Sequence, residues 1–341
     1  MPKRRPVRAL VRPIALDRDA ARLPALFRSF DSKAYQQRVQ GIDPDRLAAF
    51  LAERVADAAK TQLTWTAERR GKLVGLAALQ TSHWHSAHCG FPMGKVTQLM
   101  TAPGEHDALA PMLAIAEGAA RRAKLHHLAG RIDAHDFHAQ EILTQHRWYP
   151  VGTSVKFAVR LDPASAADAA EGLTVRPHRS SDRARLLEIA AQSHEENHLH
   201  FDPHLPSKGT HAIFAQWVEM CLDGQAAQVW VAELGGETVG FVTILVPRAL
   251  NAALGTKIAV LDFIVLAAEV KGRGLGSALL AAVHAKVAQS GFDQIELRTT
   301  ATNFAAVNLY ARHGYRLTGC DQVFGRWLRR EGLRTRAEAS A

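Results

Sequence analysis

Residues 257–290 read KIAVLDFIVLAAEVKGRGLGSALLAAVHAKVAQS. Ile258 to Leu266 carries one charge, Asp262, in an otherwise apolar run, the pattern of a strand buried on both faces. From Leu275 the apolar side chains recur at Leu279, Leu280, Val283 and Val287, one stripe of an amphipathic helix. The glycine-rich turn Lys271–Gly276 therefore joins a central strand to a helix start. Side chains are sparse there, backbone N–H groups point outward, and the helix dipole adds positive potential. This predicts an anion cradle, best suited to a pyrophosphate. The competing reading is a tight strand–helix turn that binds nothing.

Three phosphate loops can be compared with it. A P-loop needs Lys-Ser/Thr after its last glycine, and Ser277-Ala278 follows Gly276 instead. A dinucleotide fingerprint needs GxGxxG early in a βαβ unit, whereas Gly272, Gly274 and Gly276 have the wrong spacing and lie late in the chain. The acyl-CoA loop, [Gln/Arg]-x-x-Gly-x-[Gly/Ala], is resembled by Lys271-Gly-Arg-Gly274-Leu-Gly276 with Lys in first place. A further strand follows at Gln294–Arg298, and then Asn303-Phe-Ala-Ala-Val-Asn-Leu-Tyr310-Ala-Arg-His-Gly314-Tyr315. That segment resembles N-x-x-A-x-x-[LF]-Y-x-x-x-G-[FY] of the GNAT superfamily of acyl-CoA-dependent N-acetyltransferases. Val229–Val246, two strands around Gly235-Gly236, is similar to the superfamily's hairpin. The likeness covers about residues 173–328 with its segments in family order.

The resemblance implies acetyl-CoA as co-substrate. It carries cofactor contacts onto Lys271, Gly272, Arg273, Gly274, Leu275, Gly276 and Ser277, with Asn303 beside the pantetheine. It also places the backbone N–H groups around Val265 and Leu266 at the thioester carbonyl, and makes Tyr310 the acid that protonates the departing thiolate. A core aromatic beside Val307 and Leu309 is the alternative for Tyr310, and a helix cap is compatible with binding for Asn303. Asp262 is a candidate base for the amine, because a lone carboxylate in an apolar strand is costly unless used or bonded. Glu296, His198 and His200 are weaker candidates on the acceptor side.

An internal repeat sets the layout. Val7–Pro13 followed by Asp17–Leu23 echoes Leu173–Pro177 followed by Ser181–Leu186, Thr64–Gly75 echoes Val229–Gly240, and Asp136–Trp148 echoes Asn303–Tyr315. The expectation is an α/β protein of two tandem GNAT domains, each a mixed twisted sheet flanked by helices. Residues 1–161 form the first, 162–172 a linker rich in Ala and Asp, 173–330 the second, and 331–341 a flexible tail. The copies differ where it counts. The first has Thr101-Ala-Pro-Gly-Glu-His-Asp-Ala-Leu-Ala-Pro111 in place of the glycine loop, with two prolines that lack N–H and two acids that repel phosphate. Leu143 stands for Tyr310. The first copy is expected to be degenerate, with a structural or substrate-framing role, and the second catalytic.

Composition narrows the partners. The 341 residues carry a formal net charge of +9, dispersed rather than striped along one helix, which argues against nucleic acid and suits an acidic ligand such as CoA or a nucleotide sugar. Three scattered cysteines fit a reducing compartment, and no run of 18 apolar residues or leader-like h-region occurs. A cytoplasmic protein without a membrane partner is expected, and an oligomer is compatible with this reading. His194-Glu-Glu-Asn-His198 fits H-E-x-x-H, but Asp202-Pro203 ends the helix early and no third ligand follows, so a zinc hydrolase is a remote alternative and no metal is expected. The cluster His83-Trp-His85-Ser-Ala-His88 is read as a solvated loop.

Leu199–His204 with Phe214–Glu219, and Phe324–Leu328, are similar to dTDP-fucosamine-type amino-sugar N-acetyltransferases, although Arg298-Thr-Thr300 departs from the Gly-Thr-Gln of those enzymes. The function expected is acetyl transfer from acetyl-CoA to a primary amine of a small molecule, an amino sugar or nucleotide amino sugar being the lead. A catalytically silent acyl-CoA-binding sensor or interaction protein is the alternative.

Overall fold

The structure, a computed structural model, describes residues 8–30, 41–162, 172–192, 202 and 204–329, with side chains 207–211 excepted. The strands are β1 (Leu10–Pro13), β2 (Leu63–Arg69), β3 (Lys72–Thr81), β4 (Met93–Thr101), β5 (His127–Asp133) and β6 (Tyr149–Arg160). They continue as β7 (Leu173–Pro177), β8 (Gln228–Leu234), β9 (Glu237–Leu245), β10 (Ile258–Leu266), β11 (Gln294–Thr300) and β12 (Arg316–Trp327). The helices the account needs are α1 (Leu23–Ser29), α2 (Pro44–Ala58), α3 (His83–Cys89), α4 (Leu109–Arg122) and α5 (Phe137–Gln145). After them come α6 (Arg183–Gln192), α7 (Ser207–Met220), α8 (Arg248–Leu254), α9 (Leu275–Gln289) and α10 (Phe304–Arg312).

The chain forms two compact units. One runs through Gly152 and resumes at Cys320; the other runs from Thr153 to Gly319. The first unit's sheet has the order β1-β2-β3-β4-β5-β12, and the second's β7-β8-β9-β10-β11-β6. The repeat puts β6 at the end of the first copy and β12 at the end of the second, so each unit takes its last strand from the other copy. In the first unit β12 pairs antiparallel with β5 from Asp321↔Asp133 to Trp327↔His127. In the second, β6 pairs antiparallel with β11 from Gln294↔Arg160 to Thr300↔Ser154. The repeat thus places a sequence division near 162–172, whereas the compact units are cut within β6 and β12. Ladder pairing accepts a strand by its alternation and register.

Local chemistry explains the elements. Both hairpins turn on two residues of positive φ, Arg70–Gly71 (+50°, +77°) and Gly235–Gly236 (+60°, +86°), as the right-handed twist of the strands requires. Helix α2 starts on Asp43, whose carboxylate accepts from Asp45 N (2.9 Å) and Arg46 N (2.8 Å), with Pro44 at its first position. In the first unit the sheet is covered on both faces. Leu79, Val96 and Leu128 pack with Leu109, Met112 and Leu113 of α4, and Leu76 and Met100 pack with Leu23, Leu26 and Phe27 of α1 and Ala52 of α2.

The Arg-Pro…Asp echo of the repeat is an ion-pair knot at each outer strand. Arg12 holds Asp19 (2.6 Å) and Glu68 (2.7 Å), and Arg176 holds Asp182 (2.7 Å) and Glu233 (2.5 Å). Burial raises the Asp19 carboxyl, but hydrogen bonds from Arg12 and Ala15 N outweigh it and hold the group below the usual carboxylate range. Asp182 is held low chiefly by its hydrogen bond from Arg176.

Candidate active site

The central strand β10 alternates fully buried and half-buried side chains: Leu261, Phe263 and Val265 are buried, while Val260, Asp262, Ile264 and Leu266 are half-buried. The uniform burial expected of the apolar run is therefore confined to one face over most of its length. Antiparallel to β9, the register slips between Leu261 and Phe263, so Asp262 is the extra residue of a β-bulge. On its other side β10 pairs in parallel with β11 only from Ile258↔Gln294 to Leu261↔Leu297. Both strands continue, β10 to Leu266 against β9 and β11 to Thr300 against β6, so they splay beyond the bulge and leave a V-shaped gap.

The ladder fixes which backbone groups face that gap. Ala267 N–H donates to Val239 O at 2.8 Å, so residue 267 points to β9. Backbone groups alternate along a strand, so Val265 N–H also turns to β9 while Leu266 N–H turns into the gap. Of the two residues expected at a thioester carbonyl, Leu266 alone presents its N–H there.

The glycine turn lies just beyond the end of β10. Gly272 and Gly274 have φ of +78° and +77°, and Gly274 precedes the first residue of α9, Leu275. Lys271 and Arg273 are exposed and Leu275 is buried as the first apolar anchor of the helix. In the first turn of α9, Ser277 N–H donates to Gly274 O at 3.1 Å. A Cβ on Gly276 would sit 3.7 Å from Leu266 Cδ1 and 3.8 Å from Leu309 Cδ2, so strand end, turn and α10 converge at this glycine. Ser277 Oγ lies 2.6 Å from His313 Nε2.

Asn303 caps α10 through Ala306 N (3.1 Å). Tyr310 is buried, its ring 6.0 Å from Phe157 of β6 and 5.4 Å from Tyr315. Tyr315 is fully enclosed, its hydroxyl 2.9 Å from His284 Nε2, and burial, with Tyr310 beside it, pushes its phenol well above the ordinary value. Asp262 Oδ2 accepts from Trp217 Nε1 of α7 at 2.5 Å. Desolvation pushes this carboxyl up, partly offset by that hydrogen bond. Glu296 is half-buried on β11, level with Val260 across the parallel ladder. His194, His198 and His200 lie outside the described residues.

The histidine cluster at 83–88 is a short helix rather than a solvated loop. His85 is buried, with Nδ1 2.7 Å from Ser82 Oγ, and burial followed by the charges of Lys95 and His88 pushes it down to about 4. His88 Nδ1 meets Trp84 O at 2.8 Å. Among the described residues no three His, Cys, Asp or Glu side chains gather as metal ligands, and no helix is long and apolar enough to cross a membrane.

Sequence reasoning missed Trp217 as the partner of Asp262 and His313 as the partner of Ser277. Neither spacing, 45 and 36 residues, carries a periodic signal.

A splayed parallel pair thus ends at a glycine turn and a helix start. Residues 184–315 match the model of the acetyltransferase (GNAT) family. The fold is mixed α/β and is similar to solved GNAT structures, a tandem one among them. The chain is 25% identical over 186 residues to the spore coat polysaccharide biosynthesis protein SpsD of Bacillus subtilis (strain 168), covering 54% of this chain and 61% of the relative's length. In fold it is similar to a GCN5-related N-acetyltransferase from Sphaerobacter thermophilus, with TM-score 0.67, 18% identity, and coverage of 95% of this chain and 97% of the other. A tandem GNAT protein from the clavulanic acid biosynthesis pathway aligns with TM-score 0.61 and 14% identity over 95% of this chain and 99% of its own.

Proposed function

We propose that the second unit transfers acetyl from acetyl-CoA to a primary amine of a small molecule, an amino sugar or nucleotide amino sugar, by direct attack. The observation that carries this reading is the gap between β10 and β11, with Leu266 N–H facing it and the Lys271–Gly276 turn at its end. In this reading the turn and Ser277 take the pyrophosphate, supported by the exposed Lys271 and Arg273. Asn303 holds the start of α10 beside the pantetheine. Leu266 N–H polarises the thioester carbonyl, and Tyr310 supplies the proton to the departing thiolate.

The amine must lose its proton before attack. Asp262 is the base, its raised carboxyl poised nearer to neutrality than a solvated one, and Trp217 fixes its orientation. The sugar class is supported by the likeness to a protein of polysaccharide biosynthesis and by the Phe214–Glu219 and Phe324–Leu328 segments. The soluble, cytoplasmic setting expected from the sequence is part of the same proposal.

Release of free thiol from acetyl-CoA across amino sugars, nucleotide amino sugars, polyamines and aminoglycosides tests it. Acceleration by amino sugars of either kind is the expected result; tight acetyl-CoA binding with no turnover on any amine would make the chain a sensor. Tyr310→Phe keeps the ring packing and removes the hydroxyl. Turnover should fall about 10²-fold, toward the lower end for a positioned acid because a thiolate leaves readily, with little change in acetyl-CoA affinity. Turnover within about threefold of wild type, with chemistry limiting, would remove the acid role.

A further inference from the structure

The two copies place the same polar latch between the long helix and the turn after the next helix, and build it differently. In the first unit Glu117 of α4 accepts from Trp148 Nε1 at 2.8 Å, and His146 Nδ1 lies 3.5 Å from the same carboxylate. In the second unit the corresponding positions hold His284, Tyr315 and His313. His284 shares a hydrogen bond with Tyr315 hydroxyl at 2.9 Å. It stays neutral at physiological pH, since burial and then the neighbouring His313 push it down to about 4. No carboxylate is left at that position to hold the second histidine. His313 instead reaches along the helix to Ser277 Oγ at 2.6 Å, in the first turn of α9 and three residues past Gly274. Ser277 N–H donates back to Gly274 O at 3.1 Å, which closes the glycine turn on itself.

We propose that His313 is a positioning residue for the cofactor turn: its imidazole fixes Ser277 and the first turn of α9 in the geometry that receives a phosphate. This deepens the acetyl-CoA reading and rests on it. With Nε2–H donating to Ser277 Oγ, the serine O–H is free to turn toward a phosphate oxygen, and the adjoining N–H groups keep a fixed aim. His313 caps α10, the helix that carries Tyr310. One side chain therefore sets the distance between the phosphate turn and the tyrosine helix. Preorganisation of this kind acts on ligand binding and not on the chemical step. In the first copy the equivalent histidine, His146, lies 3.5 Å from Glu117, well along its helix.

The test is a KM-against-kcat comparison on the full chain. His313→Ala should raise KM for acetyl-CoA about 5- to 20-fold, with kcat within threefold; His313→Gln, which keeps an N–H donor, should recover most of the loss. Ser277→Ala should show a similar rise, and the double variant no further rise, because both break one contact. His146→Ala in the first unit should leave KM unchanged. In the free protein, amide exchange of residues 274–278 should quicken in His313→Ala. Unchanged KM and unchanged exchange, or fully additive single variants, would overturn the proposal. If exchange quickens but wild type fails to bind acetyl-CoA by calorimetry, the cofactor reading fails while the structural role of His313 stands.

Discussion

The strand-to-helix junctions of the two copies stand at the same place in the repeat and treat the same electrostatic problem in opposite ways. In the first unit, Glu105 and Asp107 lie just before α4 and both pair with Arg69 at 2.5 Å. Acids at a helix start satisfy the exposed N–H groups and the dipole from within the chain. In the second unit the turn carries Lys271 and Arg273, both exposed, and the nearby Glu269 is drawn off to Arg185. The first junction is built for stability; the second keeps positive potential open. Sites that hold such potential for a ligand give up stability to do so. The two junctions are two settings of one local balance.

The largest expected effect tests whether either copy is self-sufficient. Residues 173–341 alone lack β6, which pairs with β11 through seven residues and supplies Phe157 beside Tyr310. That half should show no cooperative unfolding and no acetyl transfer, leaving β11 as an open edge. A cooperative melt with full activity in the isolated half would show that the exchanged strand is dispensable.

Next in size is Gly274→Glu. It forces a side chain into positive φ and brings negative charge to the turn, so acetyl-CoA affinity should drop at least about 100-fold. Titration calorimetry on wild type should give one site per chain. Two sites, or a variant that still binds, would erase the distinction between the junctions.

Asp262→Asn separates stability from activity. The folded carboxyl is raised above its unfolded value, so its favourable contribution is present at low pH and is lost as pH rises through the folded value. At pH 7–8 the charged, desolvated form costs stability. Asparagine should therefore match or exceed the wild-type melting temperature there, still accepting from Trp217, while turnover falls about 10- to 100-fold and the rising limb of the pH–rate profile disappears. A retained limb would assign the base elsewhere. Thr97 holds the matching bulge of the first copy, where the register slips between Ala78 and Leu79.

The smallest effect lies in the hairpins. Arg70 holds φ +50° where the second copy has Gly235 at +60°. Arg70→Gly should relieve roughly 1 kcal/mol of left-handed strain, visible as a rise of about 2–4 °C in melting temperature. No rise would show that Arg70 makes compensating contacts.

Much of the frame was legible. The apolar run and the stripe after it mark β10 and α9 at Ile258–Leu266 and Leu275–Gln289, because length, charge content and period are local properties. The Gly-Gly turn and the Asn303 cap are likewise written in a few adjacent residues. The strand exchange was not legible: nothing in β6 or β12 alone states which neighbour it joins. The bulge at Asp262 adds one residue to a run that looks uniform with or without it. The Trp217–Asp262 and His313–Ser277 bonds join distant positions, and their partners become visible only when helices are laid on the sheet.

The exchanged last strand also has a consequence during synthesis. β5 ends at Asp133, and its partner begins at Asp321. At about 5–20 residues per second the first unit waits roughly 10–40 s with an unpaired edge before its sheet can close. The first unit is thus made first and completed last, and a ribosome that stalls in the second copy leaves behind a sticky, unfinished first one.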